Sequence, residues 1–261
     1  GKIVGSPPMT SNLRYGAGYI TPDPVTFFDF SEHGGLGRAV EMCSGLGACR
    51  KTLEGTMCPS YMATREEKHS TRGRANTLRL AMAGRLGEAG LGDHDVHDVL
   101  DLCLECRACK AECPVGVDVA RFKSEFLAGY WQRNGMPLRT RVIGHVHAVS
   151  KIGSAFAPLS NLVAQSAPGR WINEQILGID RRRTPPSFAR ATFRARFARR
   201  STSESARGTQ RCALLFADTF TNYHHPDIGL AAAEVLDAGG IGVRLAPHRC
   251  CGRPLISQGL L

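Results

Sequence analysis

The run Cys103, Leu104, Glu105, Cys106, Arg107, Ala108, Cys109, Lys110, Ala111, Glu112, Cys113, Pro114 constrains this chain more than any other feature. Its spacing, C-x2-C-x2-C-x3-C-P, is that of a [4Fe–4S] ferredoxin loop. Three thiolates on one tight loop can reach three irons of one cube, while the fourth, turned away by the proline, reaches elsewhere. The chain has ten cysteines and no secretory signal, which makes a poor disulfide framework and a good metal one. A structural zinc site or unpaired core cysteines compete with this reading. Zinc sites usually pair two C-x2-C knuckles or bring in histidine, and no second knuckle is present.

In two-cluster ferredoxins the fourth cysteine of each run ligates the other run's cluster, so a partner run is expected. Cys43, Ser44, Gly45, Leu46, Gly47, Ala48, Cys49 keeps the outer cysteines of such a run, with Leu46 where the middle one should stand. Cys58 and Pro59 follow after an insertion, giving seven candidate ligands rather than eight. Under the swap rule, Cys103, Cys106 and Cys109 with Cys58 complete one [4Fe–4S] cube, leaving Cys43, Cys49 and Cys113 for a second site. That second site is open to a [3Fe–4S] cluster, to a [4Fe–4S] cluster with a non-cysteine ligand, or to a structural role without a cluster. Arg50, Lys51, Arg65, Arg72, Arg74, Arg107 and Lys110 lie around these ligands. Cations there either raise a cluster's potential by stabilising its reduced form or form a solvated face. His33 and His69 are expected as surface or capping residues rather than ligands.

At 261 residues and 43% hydrophobic, the chain can bury a core and has room for one large domain or two small ones. No run of eighteen apolar residues and no signal peptide is present; the nearest approach, Ile143 to Ala164, is broken by His145, His147 and Lys151. The expected location is the cytoplasm, with peripheral attachment at the inner face of the membrane as the alternative. The formal charge of +10 invites a nucleic-acid partner, but Arg181 to Arg211 holds ten arginines against Glu204 alone. With Pro185 and Pro186 near its start and Ser201, Ser203 and Ser205 near its end, that stretch reads as a basic tether, and no nucleic acid is expected.

The fold expected is mainly α, a helical two-cluster ferredoxin-like domain followed by a helical extension and an incomplete α/β module. Residues 1–30, with Pro7, Pro8, Pro22 and Pro24, read as an extended connector. Residues 31–135 form the iron–sulfur domain. Ala75, Leu78, Met82 and Leu86 give one helix a buried stripe, and Val119, Phe122, Phe126 and Tyr130 give another, with Asp118 as N-cap and Gly135 beyond its end. Residues 136–210 are the extension, with one or two packing helices over 137–180, and the basic linker. In residues 211–261, Cys212 to Ala217 and Ile241 to Leu245 are short apolar runs around a helix that Pro226 opens and Gly239 and Gly240 end. This is a strand, helix, strand unit with parallel strands. The chain starts at Gly1 and stops at Leu261 just after a cysteine motif, so it reads as a piece of a longer protein.

The strings Cys43 to Arg50 (CSGLGACR), Gly55 to Tyr61 (GTMCPSY), Thr71 to Asn76 (TRGRAN) and Leu100 to Pro114 (LDLCLECRACKAECP) resemble the iron–sulfur part of large FAD-linked oxidases. The look-alikes are bacterial D-2-hydroxyglutarate dehydrogenases, then FAD-containing D-lactate dehydrogenases. The resemblance implies a flavin domain upstream, whose last residues Gly1 to Val4 would be, with FAD expected there only. It also implies that flavin takes the hydride and this segment carries electrons singly, with no catalytic residue of its own. Gly34, Gly35 and Gly37 do not form a dinucleotide fingerprint. The end, Cys250, Cys251, Gly252, resembles the CCG module of heterodisulfide reductase and glycolate oxidase iron–sulfur subunits. Thr219 stands where that module has a cysteine, and Cys212 lies upstream. Cys250 and Cys251 are therefore either a structural or substrate-proximal pair or part of a cluster or zinc ligand set.

Three functions follow from different classes. The first is electron transfer from flavin to an external acceptor within an FAD-linked D-2-hydroxyacid dehydrogenase acting on 2-hydroxyglutarate or lactate. The second is a separate iron–sulfur subunit of a glycolate-oxidase or anaerobic glycerol-3-phosphate dehydrogenase type complex. The third is a zinc-stabilised interaction module. The partners implied are a flavin domain, in the same chain or as a subunit, and an acceptor that is a quinone, a flavoprotein or a soluble carrier; homo-oligomerisation is left open.

Overall fold

A computed structural model describes residues 4–13, 15–200, 211–247 and 249–261. The chain divides into two compact units, Gly1–Gly135 with Leu261, and Met136–Leu260.

The first unit is a set of short helices around one core: α1 (Leu36–Glu41), α2 (Pro59–Thr64), α3 (Thr71–Met82), α4 (His94–Asp101), α5 (Ala108–Glu112) and α6 (Val119–Asn134). Their ends follow from local chemistry. Pro59 opens α2, where a missing N–H costs nothing, and the Ser70 side chain accepts from Gly73 N to start α3. Asp118 caps α6 by accepting from Arg121 N, and Gly135 closes it, as the sequence predicts. Val119, Phe122, Phe126 and Tyr130 are all buried along α6 and pack with Val40, Leu78 and Leu100. Each such side chain removed from water contributes about 1.5–3 kcal/mol. The stripe expected to run from Ala75 to Leu86 is shorter: Ala75 and Leu78 are buried, but α3 ends at Met82 and Gly84 turns away at φ +65°, leaving Leu86 exposed. The connector carries no helix or strand among its described residues and is tied down by Glu125 of α6, whose carboxylate accepts from Phe27 N at 2.8 Å and Phe28 N at 2.9 Å.

The second unit holds α7 (Leu138–Gly144), α8 (Val146–Ala155), α9 (Leu159–Gln165), α10 (Ala167–Leu177), α11 (Phe193–Arg199), β1 (Cys212–Leu215), α12 (Thr219–Tyr223), α13 (Pro226–Ala238), β2 (Gly242–Leu245) and α14 (Arg253–Ser257). β1 and β2 pair in parallel, Cys212 opposite Gly242 and Leu215 opposite Leu245, which is the strand, helix, strand unit that the sequence predicts. Where one or two helices are expected over 137–180, there are four, because breaks at His145, Pro158 and the Ser166 cap divide the stretch. No helix among the described residues is long and apolar enough to cross a membrane.

The arginine-rich stretch differs from the expected tether. It contains α11, capped by Thr192, and Phe193 at its start is wholly buried against α13, where any side chain at Gly229 would collide with the ring. Its charges are balanced from far along the chain: Arg196 pairs with Asp227 at 2.6 Å and Arg200 with Asp237. Ser201, Ser203, Glu204 and Ser205, read as part of the tether, lie outside the described residues, as do Gly1, Lys2 and Ile3 of the expected flavin-domain end.

Candidate metal centre

Two of the cavities in the first unit between them take in all seven cysteines of the two sequence runs. The first is lined by Cys103, Cys106 and Cys109 together with Cys58. The second is lined by Cys43, Cys49 and Cys113, with Leu46 beside them. Met57, 1% exposed, lines both.

Local backbone chemistry makes this exchange. Cys103 leaves α4 with its N–H on Leu100 O, and Glu105 and Arg107 both take left-handed conformations, φ +50° and +61°, curling the loop around the first cavity. Cys109 sits inside α5 and Cys113 just beyond its end, so a single turn of helix carries the fourth thiol to the other cavity. In the other run Gly45 and Gly47, at φ +80° and +78°, turn the loop on either side of Leu46, conformations that a side chain resists.

The insertion before Cys58 is held from an unexpected place. Glu112 of α5 accepts from Thr56 N at 2.8 Å, from Met57 N at 3.2 Å and from the Thr56 hydroxyl, with Lys51 Nζ 3.5 Å away. The Thr56 hydroxyl and the two backbone N–H groups hold its carboxyl down to about 2. A residue of α5, between Cys109 of the first cavity and Cys113 of the second, thereby positions the cysteine that the other run lends to the first.

Burial pushes the thiols of Cys103, Cys109 and Cys49 above their ordinary range, Cys109 to about 11. Left to themselves these groups stay protonated at neutral pH; iron, whose charge favours the thiolate, is what deprotonates such sites. The cations point the same way. Arg74 is wholly buried and donates from Nη1 to Cys58 Sγ at 3.2 Å, from Nη2 to Ser60 Oγ at 2.9 Å and from Nε to Val99 O at 3.1 Å. Lys123, also buried, donates to Cys103 O at 2.8 Å and to Asp101 O at 3.1 Å. Its carboxylate neighbour Glu105 is pushed up to about 7 by burial. Buried cations need a buried anion, and neutral thiols supply none. Thiolates around an iron–sulfur cube carry net negative charge, so the donor set and its surroundings fit the group. Among the described residues no three His, Cys, Asp or Glu side chains stand in the geometry that holds a single metal ion. The thiols surround a volume instead.

Of the basic residues singled out in the sequence, only Arg74 is fully buried at a thiol. Arg72 offers its backbone N–H to Cys49 Sγ at 3.3 Å while its guanidinium is held by Glu67 at 2.7 Å. Arg50 also pairs with Glu67, at 3.1 Å, and the remaining arginines and lysines there are largely exposed. His33 and His69 line neither thiol cavity. His69 is buried rather than on the surface, its Nδ1 within 2.9 Å of Thr64 Oγ1 and its carbonyl accepting from Ser60 Oγ. Sequence reasoning missed Glu112, Lys123 and Ser60, because nothing in their spacing marks them; the Glu between Cys109 and Cys113 is the one that stood in view.

In the second unit Cys212 and Cys251 are exposed and Cys250 is half-buried. Thr219, at the position of the module's missing cysteine, is buried and its hydroxyl lies 2.9 Å from His147 Nδ1. That turn is thus built as a hydrogen-bonded structural contact.

Residues 35–117 match the family model of a 4Fe-4S dicluster domain. The chain is 29% identical over 262 residues to a D-2-hydroxyglutarate dehydrogenase of Pseudomonas putida, a match that takes in 84% of this chain and 26% of that protein. It is 37% identical over 123 residues to one subunit of the anaerobic glycerol-3-phosphate dehydrogenase of Escherichia coli K12, across 47% of this chain and 31% of the relative. A probable glycolate oxidase iron-sulfur subunit of Bacillus subtilis is 38% identical over 69 residues, 26% of this chain and 15% of the relative. The chain thus spans less than a third of the length of these curated relatives. No solved structure matches it.

Proposed function

We propose, on the premise that residues 35–117 are a 4Fe–4S dicluster domain, that Cys58, Cys103, Cys106 and Cys109 hold a [4Fe–4S] cluster and that Cys43, Cys49 and Cys113 hold a [3Fe–4S] cluster. Bound there, the clusters supply one-electron carriers. The protein's own part is to fix the thiols through the turns at Glu105, Arg107, Gly45 and Gly47, to tether the Cys58 insertion through Glu112, and to exclude water with Met57. The observation that supports this reading is the crossing of Cys58 and Cys113 between the two loops, each thiol lining the cavity of the other run.

The electrons come from a flavin in an FAD-linked D-2-hydroxyacid dehydrogenase and pass to an external acceptor. Similarity to a D-2-hydroxyglutarate dehydrogenase across 84% of the chain favours this source. The higher identity to part of a glycerol-3-phosphate dehydrogenase over 123 residues favours a second reading, an iron–sulfur subunit of a separate complex. A flavin domain in the same reading frame decides for the first. A zinc-stabilised module fits less well, because the thiols surround cavities rather than converge on a point.

Iron and acid-labile sulfide in anaerobically purified protein, with EPR of the oxidised and reduced forms, test the assignment. Cys58→Ser should alter the signal of the four-iron cluster and Cys113→Ser that of the three-iron cluster, against their order in the chain. Stoichiometric zinc without sulfide would sink the electron-transfer reading.

A further inference from the structure

The two cavities differ in how the nearest cations are balanced. At the first, Arg74 is 0% exposed and its three contacts are a thiol, a hydroxyl and a carbonyl; among the described residues it makes no ion pair. Lys123, 8% exposed, adds a second buried cation whose nearest carboxylate, Glu105, stands 4.0 Å off. At the second, Arg72 is already engaged by Glu67 at 2.7 Å, that carboxylate also takes Arg50 at 3.1 Å, and half-buried Arg79 donates to Cys43 O at 3.0 Å as Lys123 does to Cys103 O, so the contrast between the sites lies in the cation held at a thiol.

Adding an electron to a thiolate-bound cluster adds negative charge, so a fixed cation nearby stabilises the reduced form. The effect is strong where water and salt cannot screen it and weak where a carboxylate already offsets the cation. Three contacts to different groups lock the Arg74 fork in place, so its charge stands close to Cys58 Sγ in both oxidation states. Lysine at that position would keep the charge and lose the fork.

We propose that Arg74, acting through Cys58, raises the reduction potential of the cluster held by Cys58, Cys103, Cys106 and Cys109 and so biases the pair toward holding the electron there. Arg72, offset by Glu67, gives the other cluster no comparable lift. The inference rests on the ligand sets proposed above.

The test is an EPR-monitored redox titration of the whole chain, purified anaerobically, as wild type, Arg74→Gln, Arg74→Lys and Glu67→Gln. Arg74→Gln should lower the equilibrium constant for reducing one cluster about tenfold, a fall of about 59 mV for a one-electron step, and leave the other cluster unmoved. Arg74→Lys should recover most of that fall. Glu67→Gln, which frees the charge of Arg72, should raise the other cluster's potential. Arg74→Gln at the wild-type potential overturns the inference, as do Gln and Lys variants that fall equally, since the effect would then lie in packing rather than charge. Should Arg74→Gln fail to retain its cluster, Glu67→Gln decides: a rise supports the asymmetry and an unmoved potential overturns it. Wild-type protein without iron and sulfide sinks the functional reading itself; loaded clusters with unmoved potentials sink only this inference.

Discussion

Leu46→Cys gives the proposed asymmetry its most direct test. Leu46 lines the second cavity beside Cys43, Cys49 and Cys113, and stands where a regular run would carry its middle cysteine. Its side chain is 68% exposed, so only about a third of it is removed from water. Shortening it therefore costs about 0.5–1 kcal/mol, a third of the ~1.5–3 kcal/mol that complete burial contributes. A loss of that size shifts the unfolding midpoint by about 1–4 °C in a chain of this length, so the variant should remain folded. A fourth thiol on the cavity should let the site keep a fourth iron. Iron should then rise from about seven to about eight per chain, and the EPR signal of the oxidised three-iron cluster should give way to one seen only on reduction. Iron and sulfide are measured on wild type and variant purified side by side without oxygen, with EPR before and after dithionite. A folded variant with unchanged iron and an unchanged spectrum refutes the reasoning, because the second site would then hold either no cluster or one already complete.

Further expectations concern the supports. Glu112→Ala, although next to Cys113 of the second cavity, should deplete the four-iron cluster first, because it releases the insertion that carries Cys58; iron content and EPR of the variant check this. Glu125→Ala removes the acceptor of two backbone N–H groups at Phe27 and Phe28, and hydrogen bonds to charged groups are worth about 1.5–3 kcal/mol each. Urea unfolding should show a loss of about 3–6 kcal/mol, with Glu125→Gln losing less. In the second unit His224 lies between Ser150 Oγ at 2.9 Å and Ser187 O at 3.0 Å, and burial pushes its pKa below the ordinary value. The folded form thus binds a proton less readily than the unfolded one. Its contribution to stability is full above about pH 6.5 and declines as pH falls through the lower folded value. Protection of amides around α8 and α12, referred to the intrinsic exchange rate at each pH, should fall below about pH 6.5, and His224→Gln should remove that dependence.

The features legible in the sequence are those that a short window contains. The four-cysteine run, the α6 cap at Asp118 and stop at Gly135, and the parallel pairing of Cys212–Leu215 with Gly242–Leu245 all rest on neighbours or on simple periodicity. What stays hidden depends on contacts between distant segments. Phe193 reads as one residue in a basic stretch, yet it is wholly buried, and the carboxylates that balance that stretch come from Asp227 and Asp237 on α13. Arg74 is one of seven basic residues around the ligands; only the fold distinguishes the one buried cation on a thiol from the exposed ones. Glu112 stands in view inside the cysteine run, but its role does not, since its partners lie 56 and 55 residues away.

The interchange of Cys58 and Cys113 also bears on how the domain is built in time. Neither cavity has its full set of thiols until both loops have docked, so a nascent chain that has emerged only as far as Cys58 carries one of the four thiols of the first set, two of the three of the second, and all of neither. On the ligand sets proposed above, cofactor delivery becomes a late event that reads out completed folding, and loss of a whole loop, unlike a change at one ligand, should cost both sites.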